Sequence, residues 1–197
     1  MSPSKPIGSA VRTYTGVLFD FVNPEQSSIN LMDISHSLSL LCRFAGHCKR
    51  FYSVAEHAVR VSYICPPGQE LWGLHHDDSE SYCVDVPRPL KHLAGMESYR
   101  AHEKRVQLEI VKMLGFDVLE EPAEVKLADM VLLVTEQRDL LHNSIPDFNI
   151  IPLRNQIKPW PSWLARRLYQ LRHAELMGWK LKWHDKLALW WLQRNLK

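Results

Sequence analysis

The chain is poor in the features that mark secreted or membrane proteins. Its four cysteines, Cys42, Cys48, Cys65 and Cys83, show no paired short spacing, so a reducing compartment fits better than a disulfide framework. No secretory signal and no run of about eighteen apolar residues occurs, which argues against a membrane-spanning helix or a membrane partner and leads us to expect a soluble cytoplasmic protein. Internal repeats, low-complexity tracts and a glycine-rich phosphate loop are also missing, so solenoids, disordered linkers and P-loop nucleotide binding drop out. What remains is ordinary for one globular domain: 197 residues, 46% hydrophobic and 23% charged, enough to bury a single core.

Against that plain background the stretch Leu74-His75-His76-Asp77-Asp78-Ser79-Glu80 stands out, read together with His57 upstream. Imidazole nitrogen and carboxylate oxygen suit a borderline divalent ion, and an adjacent His-Asp pair can place two ligands in one coordination sphere. Ser53 followed by Glu56 is the capping-box spacing, so a helix should begin at Ser53, carry His57 in its first turn and stop at Pro66-Pro67-Gly68. A second helix is predicted from about Gln69 to Tyr82, with His76 and Glu80 on one face and Asp77 beside them; His75 should face the other side. A further ligand is available in Asp129, on a helix opening at Pro122 and running through Glu136. Asp129 lies in an otherwise apolar stretch, where an unpaired carboxylate is costly to bury; the competing reading is that it faces water on an amphipathic helix.

The remaining pattern is helical, and the fold class expected is all-α. The first helix is predicted over Asn30 to Phe44, after an extended segment in which Tyr14 to Val22 can form a small strand pair. Another covers Glu97 to Leu114, closed by Gly115. Asn143 to Pro146 should end the Asp129 helix, Pro146 to Pro161 should be an irregular connection, and two last helices are expected over Pro161 to Met177 and Trp183 to Leu196. His36 should pack or cap locally, His47 is a candidate for the pocket wall, and His92, His102, His142 and His173 read as surface residues. Trp183-His184-Asp185 reads as an ordinary helix start.

These words resemble a family. The order His57, His76-Asp77, Asp129 is similar to the H…HD…D signature of the HD-domain metal-dependent phosphohydrolases. Arg43-Phe44-Ala-Gly-His47, Phe51 to His57, His76 to Lys91 and Lys126 to Asp129 resemble the small bacterial and phage branch containing 5'-deoxynucleotidases and phage dATP triphosphohydrolases. The resemblance runs from about Thr13 to Trp160. It implies a single HD-domain helical bundle over residues 1–160, with 161–197 a helical extension packed on the same domain.

It also implies roles. His57, His76, Asp77 and Asp129 would hold one divalent transition ion (Zn, Co or Mn), with Mg able to accompany the substrate phosphates. Glu80 would orient or activate the attacking water, and Asp85 would assist proton transfer or a second metal. Arg43 and Phe44 would lie near phosphate and sugar, although this chain has Phe44 where the deoxynucleotidases carry Trp. Arg88 and Lys91 either reach the distal phosphates or are plain surface charge. The expected activity is release of triphosphate from dATP or another deoxynucleoside triphosphate in a bacterial or phage-infected cell; the alternatives are a 5'-deoxynucleotidase and a non-catalytic nucleotide-sensing module, against which retention of Glu80 and Asp85 argues.

Charge is unevenly placed. From Arg154 onward ten Lys and Arg face two acids, so the tail carries +8 and the remainder −6 of the net +2, and the tail holds every Trp but Trp72. Such a pattern suits nucleic-acid stacking or a partner surface, but more often amphipathic helices with snorkelling basic side chains; packing or a homo-oligomer contact is the expectation, and nucleic acid is not.

Overall fold

The computed structural model describes residues 8–142 and 149–196. Its architecture is all-α apart from one hairpin. The hairpin pairs β1 (Ala10–Arg12) with β2 (Leu18–Asp20) antiparallel, Val11 opposite Phe19, around a turn in which Gly16 takes φ 87°. Its first strand therefore begins ahead of the Tyr14 to Val22 segment predicted to form the pair. Helix α1 spans Leu31–Leu40, shorter than predicted. Asn30 caps it by accepting from the Asp33 amide. It stops before Arg43 because Leu41 turns extended and the adjoining Cys42 bridges to Ser53.

Helix α2 (Val54–Ile64) starts as the capping box predicts, with the Ser53 hydroxyl accepting from the Glu56 amide. The reciprocal half of the box is absent, because Glu56 Oε1 instead accepts from Arg60 Nε and Nη2 and its Oε2 accepts from the Trp160 amide. Nearly every α2 residue is buried, the mark of a central helix.

The single helix predicted from Gln69 to Tyr82 is broken. Helix α3 (Glu70–His75) gives way to a turn over residues 76–79, then to α4 (Glu80–Cys83). One short helical turn, α5 (Arg88–Lys91), follows Val84, and then the long α6 (Glu97–Met113), after which Gly115 takes φ 73°. Helix α7 spans Ala123–Leu140 behind Pro122. It ends before the Asn143 to Pro146 stop, which lies outside the described residues. Helices α8 (Ser162–Leu176) and α9 (Trp183–Asn195) close the chain.

Around α2 pack α1, α3, α7 and α8. One apolar cluster joins Ile34, Leu38, Val59, Leu74 and Ile110 to Ala165, Tyr169 and Leu192, so α8 and α9 share the core of the earlier helices. A second cluster, with Tyr52, Val61, Trp72, Val125 and Leu132, seats α7 on α2 and α3. Fully burying side chains of this kind contributes about 1.5 to 3 kcal/mol each, enough to hold three helices at the distances a shared site requires. The tightest approach is at Gly73, where a Cβ would stand 2.4 Å from Cys65 Sγ and 3.2 Å from Ser62 Cα. Glycine there lets α3 close on α2, carrying His76 toward His57.

Candidate metal centre and its cavity

His57, in the first turn of α2, and His76, just past α3, point their Nε2 atoms at each other across 3.3 Å. Both Nδ1 atoms are already engaged. His57 Nδ1 meets Glu136 Oε1 at 2.6 Å, and His76 Nδ1 meets the Gly73 carbonyl at 2.9 Å. Since only acceptors face the Nδ1 atoms, each ring carries a proton there, and each neutral ring offers its Nε2 lone pair toward its neighbour. Two lone pairs at that separation repel unless a proton or a metal cation lies between them, and an imidazole fixed through its far nitrogen is how proteins present a metal ligand.

Two carboxylates lie beside the imidazoles, and one of them, Asp129, groups with both. Asp129 Oδ1 is 3.2 Å from His57 Nε2, and ligand atoms of His57, His76 and Asp129 all fall within 4.8 Å of one another. Asp129 therefore turns to this centre, against the alternative of a solvent-facing residue. Asp77 Oδ2 lies 3.2 Å from His76 Nε2 and 3.6 Å from His57 Nε2. The two nitrogens and the Asp129 oxygen form a triad that could hold a metal ion, with Asp77 standing beside it and outside that mutual 4.8 Å group.

The electrostatics agree. Burial would depress the His76 pKa, but the Asp77 and Asp129 carboxylates outweigh it and push it up to about 10. Burial would raise Asp77, yet His76, His57 and Arg43 hold it well below the usual carboxylate range. The cluster attracts positive charge, and a dication competes with that proton.

The centre opens into a cavity of about 1080 Å³, whose wall includes Arg43, Phe44, His47, Asp85, Arg88 and Lys91. Two strained backbone segments shape it. Phe44, Ala45 and Gly46 take φ 55°, 50° and 81°, a left-handed turn that presents Arg43, Phe44 and His47, and Val84 takes φ 70° just before Asp85. Left-handed φ costs a non-glycine residue about 1 to 2 kcal/mol, more for a branched one, and such strain concentrates at functional sites.

No protein-family model matches the chain. Over 158 residues it is 39% identical to the uncharacterized protein YfdR of Escherichia coli (strain K12), a span covering 74% of this chain and 86% of YfdR. The chain belongs to the YfdR family. YfdR is itself uncharacterized, so membership brings no activity with it.

In this member of the YfdR family, several side chains stand differently from the sequence expectation. Arg43 is not a free phosphate fork, because its Nε lies 3.2 Å from Glu136 Oε2 and its Nη1 3.5 Å from Asp77 Oδ2. Lys91 is neither a free phosphate donor nor plain surface charge, since its Nζ bonds Glu103 Oε1 at 2.6 Å and Glu80 Oε1 at 3.3 Å. Arg88 lies on the cavity wall with Met130 Sδ as its near partner at 3.6 Å. His92 also lines the cavity. His173 is buried, not on the surface. As expected, His75 faces away from the centre, His36 packs locally by stacking on Tyr14 at 3.7 Å, and Asp185 sits in the first turn of α9, paired with Arg167.

Glu80 reaches the cavity with Oε2 buried and unpartnered among the described residues. Burial, then the Asp77 and Asp85 carboxylates, raise its pKa well above the ordinary value, and Lys91 only partly opposes this. Burial likewise raises Asp85, with Arg43 acting against it.

The residue that sequence reasoning missed is Glu136. It is fully buried and grips both His57 and Arg43. Its signal was present: Glu136 lies seven residues after Asp129, two turns along the same face of α7. Glu121 is a further missed member of the cavity wall.

Proposed function

We propose that the chain is a metal-dependent phosphohydrolase of the HD-domain type acting on deoxynucleotides, with a deoxynucleoside triphosphate, dATP first, as substrate. The observation that carries this reading is the pair of imidazoles fixed through Nδ1, Nε2 atoms 3.3 Å apart, beside Asp129 and Asp77 at a cavity of about 1080 Å³. Small-molecule pockets span about 300 to 1,000 Å³, so a whole nucleotide has room. His57, His76, Asp77 and Asp129 would hold one divalent transition ion. When bound, that ion supplies a Lewis acid for a phosphoryl oxygen and acidifies water.

The protein's own groups do the rest. Glu136 keeps His57 in the tautomer that offers Nε2. Glu80, with an unpartnered oxygen and a raised pKa, can hold or pass the proton exchanged during phosphoester cleavage. Arg43 steadies Asp77 and keeps its remaining donors for a phosphate oxygen. Arg88, and Lys126 beyond it on the wall, add positive charge for the outer phosphates. Phe44 offers an apolar wall to the sugar, where a ribose 2'-hydroxyl would find no partner.

A 5'-deoxynucleotidase is the second reading, favoured by the commitment of Lys91 to Glu103 and Glu80, which leaves fewer cations for a polyphosphate. Turnover of all common dNMPs, dNTPs and ribonucleotides with several divalent metals separates the two through the product released. Triphosphate from dATP supports the first reading, phosphate from dNMPs alone replaces it with the second, and tight nucleotide binding without turnover sinks both. With Phe44 on the sugar, dATP should exceed ATP by about tenfold to a hundredfold.

A further inference from the structure

The ligands His76 and Asp77 sit on the turn that breaks the helix, so something other than helical hydrogen bonding must hold them. Within the turn the Asp78 amide reaches the His75 carbonyl only at 3.4 Å. Gln107 of α6 takes up the freed groups at both ends. Its Nε2 donates to the His75 carbonyl at 2.6 Å, and its Oε1 accepts from the Ser79 amide at 2.9 Å. One side-chain amide thus bridges the turn, its oxygen and nitrogen each facing the complementary backbone group.

The opposite side of the turn is held by α8. Asp77 and Asp78 point in opposite directions: the Asp77 side chain is 24% exposed at the metal centre, and Asp78 is fully buried in the core. Asp78 Oδ2 accepts from His75 Nδ1 at 2.6 Å, and its Oδ1 accepts from the Tyr169 hydroxyl. His75 Nε2 in turn meets His173 Nδ1 at 2.9 Å. Any rotation of the turn that shifted Asp77 would pull Asp78 off a phenol and an imidazole in a place water does not reach. Buried polar networks of this kind fix one geometry where an apolar contact tolerates several.

We propose that Gln107, Asp78 and Tyr169, with His75 and His173 behind them, are positioning residues that clamp the His76–Asp77 turn in metal-binding geometry. Helix α8 is thereby part of the site, although it lies beyond the resemblance that pointed to the site. The proposal rests on the metal reading above and concerns which residues make that centre work.

The test uses the full chain and the variants Tyr169→Phe, Gln107→Ala and Asp78→Asn. Arg172→Met is the control, because Arg172 ties α8 to Ser62 without touching the turn. Two quantities are read: amide hydrogen exchange of the metal-free protein, and Zn or Co(II) affinity by chelator competition. Tyr169→Phe and Gln107→Ala should speed exchange of residues 75–82 at least about tenfold relative to α7 and weaken metal binding by about 10- to 100-fold, the usual effect of removing a partner behind a ligand. Arg172→Met should speed exchange in α8 and α2 and leave metal affinity alone. Equal acceleration throughout the chain, or unchanged affinity in the clamp variants, overturns the proposal. Wild-type protein that takes up no metal would overturn the metal reading instead, and the local exchange pattern would still decide whether the clamp exists. Should Asp78→Asn fail to fold, the other two variants carry the test.

Discussion

Replacing Glu136 by Ala removes the one carboxylate that faces both His57 Nδ1 and Arg43 Nε. Glu136 and His57 have fully buried side chains and that of Arg43 is 10% exposed, so water cannot take over either contact. Breaking a buried ion pair from one side costs about 3 to 5 kcal/mol, because the abandoned charge stays buried. That is a large part of the roughly 5 to 15 kcal/mol by which a domain is stable. Glu136→Gln separates the two roles. Its amide oxygen can still accept from His57 Nδ1, but Arg43 keeps only Asp77 as an opposite charge, so the loss should be nearer about 1 to 3 kcal/mol. Metal affinity should fall in both variants, by about 10- to 100-fold in Glu136→Ala and less in Glu136→Gln. Urea unfolding of the metal-free proteins and Zn competition against a chelator measure the two effects. Wild-type metal affinity in Glu136→Ala, or a stability loss under about 1 kcal/mol, would refute the argument that this residue orients the ligand and neutralises Arg43.

Glu80→Gln should keep the metal and lose about 10²- to 10⁴-fold in turnover, the range for a positioned acid or base; parallel loss of metal would make Glu80 a ligand. An acid-side stability change should trace to His173, whose pKa is held down to about 4 by burial and by His75, against 6.5 for a free histidine. Between those values the unfolded chain binds more protons at this residue, so the His173 contribution is complete above about pH 6.5 and costs stability as the pH drops toward 4, by at most about 3 kcal/mol, while the buried Glu56 carboxyl, pushed up to about 7, acts the other way. His173→Gln should flatten that part of the profile, and an unchanged slope in melting experiments would assign it elsewhere. Gly73→Ala should push α3 from α2 and cost about 1 to 3 kcal/mol, with partial recovery when Cys65→Ala removes the nearest atom. No recovery in the double variant would place the clash on the Ser62 backbone.

Much of this site could be read in one dimension because its rules act over a few residues. Ser53 and Glu56 mark the start of α2 through a bond between residues three apart, and Pro122 marks the start of α7. The same short range explains the failures. Helical spacing alone predicts one helix from Gln69 straight through to Tyr82, since nothing near Ser79 in the sequence announces that Gln107 takes its amide. His173 read as a surface residue because its partner, His75, is 98 residues away.

By itself, then, the sequence determined where the longer helices begin and which residues have metal-binding chemistry, and it carried, unread, the seven-residue spacing of Asp129 and Glu136. Only the tertiary structure decided that Glu136 meets His57 across 79 residues, that Arg43 and Lys91 are taken up by acids, and that α8 holds the turn carrying His76 and Asp77. Capping and periodicity are properties of neighbouring residues. Which buried charge finds which partner depends on how the helices pack, and that is set by the whole core at once.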